Sequence, residues 1–327
     1  MHTPPKRTLT VAAMLSVFGL ALSACSSGSG DDDAAANATA TVVATTTQVG
    51  SVAGQVTECA DGHTQVLMSP GDDPHQFEAS SAQIADMISA DLVVTNGLGL
   101  ESSMQGSIDN AVTDGAEVFE LAPQLDPLPL EEHHDHDHEA EHGAEDSADE
   151  HDHGAQDPHI WMDVSRMAQG AELIGAKLAE VTGDDTYTSC GTEVAEELRD
   201  VDAQIATTLA DVESARLVTD HAAYGYFADR YGVQIEGVVI PGGSTDGEPS
   251  SQDLAQLTQL LKDEGADALV TSKSNTNRMI QALAEETGGT IPVVELYESA
   301  VGEPGSQAET YQQAMLYNAE ALAEALN

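Results

Sequence analysis

Between residues 186 and 213 the apolar positions Val194, Leu198, Val201, Ile205, Leu209 and Val212 recur at intervals of three and four. That spacing keeps one stripe of a helix apolar over about five turns. So long a helix divides the chain into two halves, and each half shows the same alternation of short apolar runs with amphipathic stretches. In the first, "ATVVATTTQVG", "TQVLMS", "DLVVTNG" and "AEVFELA" read as strands, while "SSAQIADMISA", "ESSMQGSIDNAV" and the stretch opened by "DPHIWMD" read as helices. In the second, "ARLVTD", "QIEGVVIPG", "ADALVTS" and "IPVVELY" read as strands. "YGYFADRYG", "SQDLAQLTQLLKDEG", "NRMIQALAEETG" and "TYQQAMLYNAEALAEALN" supply its helices. Strands alternating with helices imply parallel sheets with helices on their faces. The expected fold is α/β, two βα lobes joined by one long helix, with the ligand site in the cleft between them. The expected boundaries are a first lobe over 40–185, a connecting helix over 186–213 and a second lobe over 214–327.

Acids outnumber bases 57 to 10, a formal net charge of −47. A phosphate backbone would be repelled, so nucleic acid is excluded as a partner, whereas cations are concentrated at such a surface. At the N-terminus Lys6 and Arg7 precede an apolar run from Leu9 to Leu22, followed by "LSAC" and "SSGSGDDD". A basic patch, a short apolar core and small residues describe an export signal over 1–24. The run is shorter than the ~20 residues a spanning helix needs. Leu22–Cys25 resembles a bacterial lipobox, which makes Cys25 the lipidated first mature residue and 25–39 a flexible tether. Attached acyl chains would hold the protein at the outer face of the cell membrane; an ordinary cleaved signal with a chance cysteine is the alternative. Cys59 and Cys190 remain, and two cysteines in an exported chain are expected to pair as a disulfide.

Residues 131–155 interrupt the alternation. His133, His134, His136, His138, His142, His151 and His153 stand there among Asp and Glu, with no periodic apolar face, so disorder is expected. A segment without a rigid frame loses entropy in wrapping a metal and binds it weakly. The expectation is an auxiliary collector that raises local metal supply; the alternative is a solvated loop whose metal binding is incidental.

Three further histidines have a more defined setting. His75 lies in "SPGDDPHQFE" after a strand, His159 in "DPHIWMD" before a helix, and His221 in "LVTDHAAYGYF" at a strand end. Open α/β sheets place ligands beyond the carboxyl ends of their strands. Two of the three come from the first half and one from the second, so apposed lobes would bring them together. Neutral imidazole is the commonest metal ligand. Three suit Zn²⁺, with a carboxylate or water completing four-coordination at ~2.0–2.2 Å.

"PGDDPHQFE", "DPHIWMD", "LVTDHAAYGYFADRYG", "STDGEPS" and "GEPGSQAETYQQAMLYN" together give the chain a resemblance to a known family. From about residue 40 to its end it resembles the cluster A-I substrate-binding proteins of ABC transporters for zinc and manganese, the ZnuA- and TroA-like receptors. The resemblance implies two lobes, each with a four-stranded parallel sheet, bridged by a rigid helix. It further implies a receptor, not an enzyme, expected as a monomer, that delivers its ion to an ABC permease. The family's three histidine ligands fall on His75, His159 and His221. The fourth position departs from the pattern. Many relatives carry Asp or Glu after a Leu-Tyr-x sequence, whereas "ELYESAVG" puts Ser299 there and Glu298 one residue early. A one-residue slip would present Glu298; water is the alternative.

Three imidazoles and at most one carboxylate favour Zn²⁺ over Mn²⁺, which prefers oxygen-rich sites. The long His/Asp/Glu insertion is likewise a mark of the family's zinc branch. Mn²⁺ stays as the alternative ion. Rivals from other classes are a metal-buffering surface adhesin and a secreted zinc hydrolase using metal-bound water, although no His-Glu-x-x-His sequence is present. A two-lobed receptor for a siderophore or corrinoid would want aromatic and arginine contacts, and this chain has one Trp and ten basic residues in all.

Overall fold

The computed structural model describes residues 41–130, 156–212, 214–240, 242–245, 247–274 and 278–327. The export signal, tether and Cys25, and the seven histidines of 131–155, lie outside the described residues. In the first half β1 (Thr41–Ala44), β2 (His63–Val66), β3 (Leu92–Thr95) and β4 (Val118–Glu120) form a sheet in the order β2-β1-β3-β4. In the second, β5 (Arg216–His221), β6 (Gln234–Ile240), β7 (Ala268–Ser272) and β8 (Val293–Leu296) repeat it as β6-β5-β7-β8. Every ladder in both sheets is parallel. Each order reverses beside its first strand, and the crevice at that switch point is where such sheets hold ligands.

The helices are α1 (Thr47–Cys59), α2 (Ser81–Ser89), α3 (Gln105–Thr113), α4 (Val164–Thr182), α5 (Thr186–Thr208), α6 (Gly225–Tyr231), α7 (Ser251–Asp263), α8 (Arg278–Glu286) and α9 (Tyr311–Leu326). Ser80, Ser250 and Thr310 start α2, α7 and α9 with capping boxes closed by Gln83, Asp253 and Gln313. None of the described helices is long and apolar enough to cross a membrane.

Parallel strands need cover on both faces, and the residue alternation shows how it is divided. Val42, Ala44, Leu92 and Val94 of the first sheet, and Leu217, Ala268, Val270 and Leu296 of the second, face one common core. Residues of α1, α4, α5 and α9 complete that core. The alternate residues Val43 and Val93 pack beneath Met87, Met104 and Ile108, while Val218 and Leu269 pack beneath Leu257, Leu261, Ile280 and Leu283. The molecule thus has a central core shared by both lobes and one outer core for each.

The run "ATVVATTTQVG" does not continue as a strand to Gly50. β1 stops at Ala44, and Thr46 caps α1 by accepting the Val49 N–H at 3.3 Å. Val49, Val52, Ala53 and Val56 then recur at helical spacing and are fully buried. Burial of that stripe outweighs the β preference of the threonines. The apolar stripe that begins in α5 likewise outlasts the helix, since Leu209 and Val212 stay buried in the turns that follow it.

Helices α4 and α5 meet backbone to backbone. A Cβ on Gly175 would stand 2.4 Å from the carbonyl oxygen of Tyr187, and one on Gly191 2.6 Å from that of Ala171. Beside this contact a Cys59–Cys190 disulfide, with Cα atoms 5.8 Å apart, ties the end of α1 to α5. Cross-links that close long loops restrict the unfolded chain most. Replacing both cysteines with serine is expected to lower stability by about 2–5 kcal/mol, read as a shift in the denaturant midpoint. An unchanged midpoint would deny the bond that role.

Candidate metal centre

The two Asp-Pro-His turns are built alike. Asp73 Oδ1 accepts the backbone N–H of His75 at 2.9 Å, and Asp157 Oδ1 accepts that of His159 at 2.9 Å. Such an Asx turn, with proline fixing φ between its ends, sets the direction in which each histidine leaves the chain. Two more contacts brace these turns from the β3–α3 connection. Ser103 Oγ donates to the His75 carbonyl at 2.6 Å, and Asn96 Nδ2 donates to the Pro158 carbonyl at 2.9 Å. Buried Glu101 holds that connection together. Its carboxylate accepts Thr45 Oγ1 and Asn96 N at 2.7 Å and Gly97 N at 3.0 Å. Burial raises its pKa against the pull of those hydrogen bonds.

His221 closes β5. Its neighbour Asp220 accepts Thr271 Oγ1 and the Ser272 N–H, both at 2.8 Å, through Oδ2. Asp220 Oδ1 lies 3.2 Å from His221 Nδ1, and Asp157 Oδ1 lies 2.7 Å from His159 Nδ1. A carboxylate on Nδ1 keeps the proton on that nitrogen and leaves the Nε2 lone pair for a metal.

The three rings converge from the two lobes. His75 Nε2 and His159 Nε2 are 3.2 Å apart. Ring centroids are separated by 5.3 Å for His75–His159, 6.1 Å for His75–His221 and 5.3 Å for His159–His221. One ring nitrogen from each lies within 4.8 Å of the other two, and all three residues are buried. A tetrahedral ion with bonds of ~2.0–2.1 Å spaces its donors at roughly 3.4 Å. The closest pair, at 3.2 Å, lies near that spacing, and the other pairs lie within 4.8 Å. Glu298 is 1 % exposed, with Oε1 at 3.7 Å from His221 Nε2. The Ser299 hydroxyl donates to Glu298 Oε2 at 2.7 Å and lies 3.0 Å from Ser272 Oγ. A chain contact bridges the lobes at the rim, where Thr245 Oγ1 donates to Asp73 Oδ2 at 2.7 Å.

The two ends of the site differ electrostatically. Burial first, and then the charges of His159 and His221, press the His75 pKa down to about 2. Burial also opposes a charge on His221, but Glu298, then Asp220 and Asp73, outweigh it and raise its pKa to about 9. The surroundings thus favour a proton at His221 and disfavour one at His75.

Sequence reasoning did not assign the aspartates that orient the histidines. Their signal is visible in hindsight: Asp73 and Asp157 each stand two residues before a histidine, and Asp220 stands one before. Ser103, Asn96 and Glu101 carry no such local mark and reach the site through the fold.

Residues 42–325 match the family described as ZnuA, zinc-uptake complex component A, periplasmic. The manganese-binding lipoprotein MntA of Bacillus subtilis is 27 % identical over 333 residues, covering 98 % of this chain and 99 % of that protein. The zinc-binding protein TroA of Treponema pallidum is 28 % identical over 293 residues, covering 86 % and 87 %. The solved structure of periplasmic TroA superposes with a TM-score of 0.74 over 88 % of this chain and 99 % of that one, at 23 % identity, a likeness of fold. With its two parallel sheets and a match that spans both lobes, the chain belongs to the ZnuA family of metal-uptake proteins.

Proposed function

We propose that this protein is an extracytoplasmic Zn²⁺ receptor that captures the ion between its lobes and delivers it to an ABC permease. The observation that carries the reading is the set of three buried imidazoles, drawn from both lobes, with ring nitrogens within 4.8 Å of one another. His75, His159 and His221 bind through nitrogen and Glu298 supplies the fourth donor. Three nitrogens and one oxygen suit Zn²⁺, while Mn²⁺ prefers more oxygen and more ligands. Mn²⁺ is the second reading, favoured by the similarity to MntA over nearly the whole chain. The domain plan follows: signal over 1–24, lipidated Cys25 and tether over 25–39, lobes over 40–185 and 214–327, and the connecting segment 186–213. Such a protein acts as a monomer at the outer face of the membrane and catalyses nothing.

The ion competes with a proton. Because Glu298 and Asp220 hold a proton on His221 up to about pH 9, each captured Zn²⁺ must expel it. Lowering the pH refills that nitrogen and weakens binding; above pH 9 the competition ends. Titration calorimetry in buffers of different ionisation enthalpy is expected to show about one proton released per ion at pH 7.5. Proton release should fade above pH 9. Zero release at neutral pH contradicts the assignment.

His221→Ala is expected to weaken Zn²⁺ binding by at least about 100-fold, since the ligand set loses its member from the second lobe. Its circular dichroism should be unchanged. Wild-type affinity in that variant removes His221 from the site. Competition between Zn²⁺ and Mn²⁺ in the same titration separates the two ions.

Pro129 and Gln156 pair across an isolated antiparallel bridge, and Asp157 N donates to the Leu128 carbonyl at 2.9 Å. The residues that flank 131–155 are thus adjacent, so that segment can be excised and the flanks rejoined. The shortened protein is expected to retain one tight Zn²⁺ equivalent and to lose only weak ones. Disappearance of the tight equivalent would move the receptor site into the histidine-rich segment.

A further inference from the structure

Glu298 belongs to the second lobe, yet its backbone is held by the first. Gln48 Nε2 donates to the Glu298 carbonyl at 2.8 Å, and Trp161 Nε1 donates to the same oxygen at 2.9 Å. Gln48 lies in the first turn of α1, and Trp161 lies two residues beyond His159. Three residues further on, the Val301 N–H donates to Thr47 Oγ1 at 3.0 Å. On the other side, Tyr297 is fixed within its own lobe. Its N–H and carbonyl both bond the Asn318 side chain, at 2.7 Å each. The turn that carries Glu298 is therefore stretched between an anchor in its own lobe and two donors in the opposite one.

Gln48, Trp161, Glu298 and Asn318 are all buried. In that buried setting, leaving the indole or amide N–H without its carbonyl partner carries a desolvation cost, which favours keeping both contacts. Trp161 is bound at both ends. Its own carbonyl accepts Tyr311 Oη of α9 at 2.5 Å, and its ring packs edge-on against His159 with centroids 5.2 Å apart. One side chain thus touches a histidine of the first lobe and the backbone of the carboxylate from the second.

We infer that Gln48 and Trp161 are positioning residues: by holding the Glu298 backbone from the first lobe they fix where its carboxylate faces the ion, so that removing either donor weakens the fourth ligand while leaving the three imidazoles in place. The inference rests on Glu298 as a donor. Its consequence is that loss of either donor leaves the ion with three well-placed imidazoles and a poorly placed carboxylate, a set that holds it less firmly.

The test uses the full chain loaded with Zn²⁺, or with Co²⁺, whose visible bands respond to coordination number. Gln48→Met keeps the side-chain volume and removes the donor; Trp161→Phe keeps a ring against His159 and removes the N–H. Release to excess chelator is expected to speed up about tenfold in each, with the Co²⁺ spectrum moving toward that of Glu298→Gln. In the Glu298→Gln background neither substitution should add to the release rate, because the donor they position is already lost. Equal acceleration in both backgrounds means general loosening and overturns the inference. So does an unchanged release rate and spectrum in Gln48→Met while Glu298→Gln alters both. If Glu298→Gln itself changes neither, Glu298 is not a donor and the underlying reading falls with the inference. Should Trp161→Phe fail to fold, Gln48→Met alone decides.

Discussion

Each sheet turns one face toward the same set of helices, and that shared burial governs where a ligand site can form. Val42, Ala44, Leu92 and Val94 on one side and Leu217, Val270 and Leu296 on the other belong to a continuous apolar cluster with α1, α4, α5 and α9. Apolar area removed from water is the main favourable term in folding, so lobes that share it do not part without re-exposing it. The carboxyl ends of both sheets are thereby fixed relative to one another. His221, at the end of β5, is brought against His75 and His159 because the cores beneath them are joined.

Charge then decides what the convergence can hold. Asp157, Asp220 and Glu298 are buried around three imidazoles, in a chain with few bases to spare for neutralising them. Two of those bases, Arg166 and Arg230, are committed elsewhere, to Asp163 and Asp202. A buried carboxylate is stabilised by hydrogen bonds and, where it stays charged, by positive charge beside it. The carboxylates favour positive charge at His221, and a dication between the imidazoles meets the same demand more fully. An anionic ligand would do the opposite.

Much of this was legible in the sequence. The α/β class follows from strand–helix alternation, since parallel strands require helical crossovers of recognisable period, while four strands per sheet came with the family resemblance. The three histidines stood out because Asp-Pro-His occurs twice and His221 ends a strand. What local pattern could not give was the course of residues 45–50. There, three successive threonines favour extended backbone, while the burial of Val49, Val52 and Val56 selects the helix. Nor could it give the neighbours of Glu298. Gln48 lies 250 residues away in sequence and Trp161 137, separations at which only the packed structure assigns partners. The alignment of "ELYESAVG" placed Ser299 in the ligand column, whereas the carboxylate nearest His221 Nε2 there is Glu298, with Ser299 bonded to it.

The glycine pair at the α4–α5 crossing bears on how closely the two helices can approach. Elsewhere, interlocking side chains let packed helices slide by changing rotamers in small steps. At Gly175 and Gly191 there is nothing to re-rotate, and main chain rests on main chain. A side chain at either position would force the two main chains apart, so the approach of α4 to α5 depends on glycine at both. The closeness of the two helices thus rests on what both positions lack, and even an alanine there would be felt across the frame that carries the histidines.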